Sequence, residues 1–186
     1  MPKTKKEEVS EVKPVETPEV EPNQFANPTG ISLNQNNVKV NITDKDKENF
    51  YKAFLSDSTF QDEFWLFDKK VKVTFKSISV DENNDVFKQI RLDEKNGLAN
   101  NSEGYLLTIM IYRLGLSLES IEGFEFEFPE IKEEEGNTYV AQRSEIFKKW
   151  GNFKLSAFLK VFMEFESKLF QLEQAVLDPN FWKAAE

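Results

Sequence analysis

LSAFLKVFMEFESKLFQLEQAV, residues 155–176, decides what kind of fold this chain can adopt. Leu155, Phe158, Phe162, Phe165, Leu169, Leu172 and Val176 recur at alternating spacings of three and four. That period places them on one face of an α-helix, and Leu159 and Phe170 widen the stripe. The seam runs for about three heptads. Two packings satisfy it. The simpler is burial against other helices of the same domain; the alternative is an intermolecular seam, which would make the protein a homo-oligomer. Asp178-Pro179 should stop the helix, because proline cannot continue it. Phe181 and Trp182 then supply two large rings, either folded back as a plug, the preferred reading, or left out as a docking hook.

The rest of the fold is read outward from that helix. Residues 124–128, FEFEF, alternate strictly and predict a short strand with Phe124, Phe126 and Phe128 on one face and Glu125 and Glu127 on the other; Pro129 ends it. A further helix is expected at about Ala141–Trp150. Tyr105–Leu114 is apolar except for Thr108 and Arg113 and predicts a buried helix, which GLSLESIEG ends. Residues 93–104 form a polar loop. Val71, Val73 and Phe75 alternate with lysines and Thr74, so FQDEFWLFDKK and VKVTFKSIS read as a β-hairpin turning around Asp68-Lys69-Lys70. Ser79 and Glu82 have capping-box spacing ahead of a helix over about Val80–Leu92 that carries Val86, Phe87 and Ile90. Thr43 or Asp44 caps a first helix to about Ser56, with Phe50, Phe54 and Leu55 facing inward.

Residues 1–24 are charged, and Pro14, Pro18 and Pro22 recur among isolated valines. Such a segment cannot bury enough surface to offset its ordering entropy, so a disordered arm is expected. Phe25, Ile31 and Leu33 are sparse anchors in a linker that could lie along the domain or on a neighbour. Together these elements predict an α+β protein: an arm and linker over 1–42, then one compact, mostly helical domain over 43–186 with a small antiparallel sheet.

Composition narrows the function. The chain has 18 phenylalanines against 4 tyrosines and 3 tryptophans, so its core should be largely Phe. A net charge of −9 lacks the basic footprint that phosphate binding needs, which argues against nucleic acid and against an anionic membrane surface. The most apolar stretch, Tyr105–Leu118, is too short to span a bilayer, and residues 1–21 have no apolar core of a secretory signal. There is no cysteine and no histidine. Thiol nucleophiles, imidazole acid–base chemistry and the usual zinc ligands are therefore excluded. No glycine-rich phosphate cradle and no nucleophile elbow is present, so no cofactor is expected. Glu125 and Glu127, with Glu130 and Glu133–Glu135 behind them, are the one carboxylate group that an enzyme could use. They lack a calcium-loop pattern and read as solvated surface. The chain is expected to be non-catalytic and to work through protein contacts. Leu155, Phe158, Phe162, Phe165, Leu169, Leu172, Phe181 and Trp182 are the candidate partner-binding residues.

The layout from about Phe50 to Trp182 carries a resemblance. An F-x(3)-F-x-L-F segment (60–67) leads into VKVTFKSIS (71–79), then an acidic helix start, then an apolar helix ending in I-E-G (121–123). Trp150 precedes the long Phe/Leu helix, and D-P-N-F-W (178–182) follows it. This resembles the tail assembly chaperones of long-tailed bacteriophages and neighbouring small virion-assembly proteins. The resemblance implies an assembly factor of the host cytoplasm that binds the tape measure protein and recruits tail tube subunits. It also implies that a longer frameshifted product can exist. The Pro/Glu/Val-rich arm is not a feature of that family. It keeps open a virion structural component whose arm docks on neighbouring subunits, and a carboxylate-dependent enzyme is the third reading.

Overall fold

The computed structural model describes residues 40–98, 102–132 and 138–183, with backbone only at 102 and 103. Among the described residues the order is α1 (Asp44–Leu55), β1 (Gln61–Leu66), β2 (Val71–Lys76), α2 (Val80–Lys95), α3 (Ser102–Ser117), β3 (Leu118–Glu122), α4 (Tyr139–Lys148) and α5 (Asn152–Gln174). The fold is α+β, with one antiparallel sheet of order β1-β2-β3. The arm up to residue 39 and the acidic run Glu133–Glu135 lie outside the described residues.

Local chemistry sets the helix starts. Thr43 caps α1: its Oγ1 accepts from the Asp46 amide at 3.2 Å, and its own amide donates to Asp46 Oδ2 at 2.7 Å. Ser79 and Glu82 form the same reciprocal box at α2. Thr138 caps α4 through the Ala141 amide, which starts that helix two residues earlier than its apolar pattern suggests. The C-terminus of α3 has no basic residue of its own. Arg143 of α4 supplies the cation there, donating to the carbonyls of Gly115 at 2.6 Å and Leu118 at 2.7 Å. A Cβ at Gly115 would lie 2.9 Å from Ser144 Oγ, so glycine is what lets α3 and α4 approach this closely.

The predicted hairpin forms, with Phe64 opposite Val73 and Leu66 opposite Val71. Its turn holds Phe67, Asp68 and Lys69 in left-handed backbone. The third strand is not FEFEF. It is Leu118–Glu122, which pairs with β2 through a bulge at Thr74/Phe75. Ser117 anchors its start by donating to the Lys76 carbonyl at 2.6 Å. Gly123, at φ +109°, then turns the chain off the sheet; a Cβ there would sit 2.2 Å from the Lys70 carbonyl oxygen. Among the described residues FEFEF pairs with no strand, because the chain has left the sheet at Gly123, yet its alternation survives. Glu125 and Glu127 are exposed, while Phe124, Phe126 and Phe128 pack inward in a chain of edge-to-face rings. That chain continues to Trp150, Phe158 and Phe147.

Most of the α5 seam is buried within the domain, and it packs on the sheet through its rings as well as on α3. Phe75 meets Phe162 at 5.6 Å and Phe165 at 5.5 Å, and Phe165 also touches Phe60 and Phe64. Phe158, Phe162, Phe165, Leu159 and Leu172 are fully or almost fully buried. Phe170 does not widen the stripe; it stands exposed. A smaller core of Val86, Ile90, Tyr112, Leu116 and Val140 joins α2, α3 and α4. Phe87 lies outside it, facing solvent.

Candidate functional site

Helix α1 carries two apolar faces about 100° apart. Asp46, Phe50 and Ala53, spaced four and three, form the inward face. Tyr51 and Phe54 form the next face round with Lys47, and both rings are largely exposed, at 56% and 70%. The sequence pattern put Phe54 and Leu55 in the core. The structure leaves both outside, because the inward face is completed by a small alanine and a buried carboxylate.

Asp46 is buried for an electrostatic reason. Lys168 of α5 reaches between Asp62 of β1, at 2.5 Å, and Asp46, at 3.2 Å, with its ammonium over the Phe64 ring. Asp62 sits opposite Phe75, on the face of the sheet that meets α5, and Lys168 gives it a partner there. Burial by itself would raise the Asp46 carboxyl, but the Thr43 amide and hydroxyl and the Lys168 ammonium outweigh it and hold the group below its ordinary value. Burial likewise works against the Lys168 ammonium, and Asp62 with Asp46 outweighs it and holds the group above its ordinary value. The triad clamps α1, β1 and α5 together.

The chain beyond α5 closes over this corner. Helical structure ends at Gln174, four residues short of Asp178-Pro179, and the Trp182 indole N–H donates to the Ala175 carbonyl at 2.6 Å. Trp182 stacks on Phe50 at 6.0 Å, Phe181 meets Trp182 edge-on at 5.2 Å, and Lys47 lies over the Phe181 ring at 4.8 Å. The two terminal rings are folded back as a plug.

Between this plug and α1 lies an open groove of about 610 Å³. Phe50, Trp182, Tyr51, Phe54 and Val176 give it an apolar lining, to which Asp44, Lys47 and Glu48 add charged groups. Among the candidate contact residues, Phe158, Phe162, Phe165 and Leu172 have no surface to offer, and Leu155 and Leu169 are half-buried against the same core. Trp182 alone of that set lines the groove. Tyr51, Phe54 and Val176 do the exposed apolar work; the sequence pattern placed Phe54 and Val176 on buried faces and marked none of the three as a contact residue. The signal was present as the i, i+3 pair Tyr51/Phe54, offset from Phe50/Ala53.

The glutamates at 125 and 127 are exposed on the FEFEF segment and line neither the groove nor the polar depression between α1 and β1. A second depression, of about 730 Å³, lies between α1 and β1 and is lined by polar side chains such as Asn49, Lys52, Ser58 and Gln61 together with Trp65. No helix among the described residues is long and apolar enough to cross a membrane. Comparison with protein-family models, curated proteins and solved structures finds no match.

Proposed function

We propose that this is a non-catalytic assembly protein that binds another protein through the groove between α1 and the C-terminal plug. The observation that carries the reading is the exposure of Tyr51, Phe54 and Val176 around a formed apolar concavity. An apolar groove with few charged groups suits the apolar face of a helix or an extended segment. Burying each large apolar side chain contributes on the order of 1.5–3 kcal/mol, so two or three anchors suffice for transient binding. Transience is what an assembly factor requires.

The layout resemblance to tail assembly chaperones supports a specific form of the reading: a chaperone that holds the tape measure protein before tail tube subunits polymerise. Co-expression with the tape measure protein tests it. The wild-type chain is expected to co-purify with it and to be missing from finished particles by mass spectrometry. Phe54→Asp should lower the recovered complex at least tenfold, which corresponds to about 1.4 kcal/mol, while leaving thermal unfolding unchanged. Equal recovery with Phe54→Asp removes the groove from the interface. Fixed stoichiometry in purified particles would instead make the chain a virion component.

A further inference from the structure

We propose that the groove is occupied, in the absence of a partner, by residues 25–38 of the chain's own N-terminal segment, with Ile31 and Leu33 as its anchors. The inference deepens the proposed function and rests on the groove being a binding surface.

Three observations select this occupant. First, the described chain arrives at the groove itself. Val40 is half-buried, Ile42 packs on the core, and Asp44, the first residue of α1, lines the groove. Whatever precedes Val40 is therefore tethered at one end of the groove. Second, the reach is right. The ten residues from Leu33 to Thr43 can span about 33 Å when extended, and α1 is about 18 Å long. The segment can therefore run back along α1 and set its anchors beside Tyr51 and Phe54. Ile31 and Leu33 are two apart and share a face when extended. Third, the chemistry matches. Residues 23–37, NQFANPTGISLNQNN, contain no charged residue, in a chain that is 31% charged. Glu21 and Lys39 flank this neutral stretch, which enters an apolar groove without stranding a charge. A short tether sets an effective concentration in the millimolar range, so even a weak contact is largely formed. A partner must displace it, and its apparent affinity falls by the fraction of molecules left open.

The lack of cysteine makes the test direct. Ser32→Cys in the full chain accepts a single spin label. Amide signals of Tyr51, Phe54 and Val176 are expected to lose at least fivefold in intensity relative to the reduced label. Adding Ile31→Asp and Leu33→Asp should restore them with the label still in place. Equal broadening with and without those aspartates overturns the proposal, because it reports proximity without docking. Broadening of an isotope-enriched, unlabelled chain by a spin-labelled, unenriched one also overturns it, in favour of a second copy in the groove. If docking is absent while Phe54→Asp still abolishes partner capture, this proposal fails and the groove reading stands. Docking present with partner capture indifferent to Phe54→Asp leaves this proposal standing and removes the partner from the groove.

Discussion

Lys168 holds two carboxylates from different elements, and its removal would leave both nearly buried without a cation. Lys168→Met is expected to cost about 3–5 kcal/mol in urea unfolding at pH 7. The pH dependence has a definite sign. Asp46 is held below its ordinary value of 3.8, so its contribution is complete above about pH 4 and is lost as pH falls through the lower folded value. Lys168 is held above 10.5, so its contribution is complete below that and is lost as pH rises through the higher folded value. The gap between wild type and Lys168→Met should therefore narrow in acid, where protonation relieves the unpaired Asp46 carboxylate. A gap that stays constant from pH 7 to pH 3 would deny the triad this role. Gly123→Ala belongs to the same scale. The backbone conformation alone costs a non-glycine residue about 1–3 kcal/mol, and the Lys70 carbonyl adds a clash. Ser167 offers the opposite case: its buried hydroxyl finds no hydrogen-bond partner among the described residues, so Ser167→Ala should leave stability unchanged or slightly raise it.

At the scale of elements, α5 is the keel on which the sheet packs. Phe165 touches rings from β1, β2 and the strand approach at Phe60, and Phe165→Ala should cost about 3–5 kcal/mol by thermal or urea unfolding. Phe170→Ala, five residues on but exposed, should change stability by less than about 0.5 kcal/mol. The contrast shows what was legible beforehand. The three-four spacing of α5, the alternation of Val71, Val73 and Phe75, and the box at Ser79 and Glu82 are signals carried by neighbours in the sequence, and each appears in the fold. The strand at Leu118–Glu122 was not legible, because its pairing depends on a bulge opposite Thr74 and a glycine fitted against Lys70. FEFEF has the better strand pattern, but Gly123 turns the chain off the sheet just before it. The aromatic excess in the core was legible; which face of α1 meets it was not, since that depends on Asp46 finding Lys168 122 residues away.

For the whole molecule, the closed aromatic core and the open groove divide the labour. One holds the α1, β1 and α5 corner rigid, and the other offers apolar surface next to the point where the N-terminal segment enters. The groove was legible only in part. Trp182 was singled out from the sequence, but the exposure of Tyr51 and Phe54 follows from the face of α1 that Asp46 and Ala53 turn inward. The central claim is that this concavity is where the protein meets its partner. A photo-crosslinking amino acid at position 54, introduced into the full chain in the cells that naturally make it, tests that claim most directly. The matched control is position 80, on a different helix and also exposed. A single protein should be captured from position 54 and not from position 80. No adduct at position 54, or the same adducts from both positions, would contradict the account.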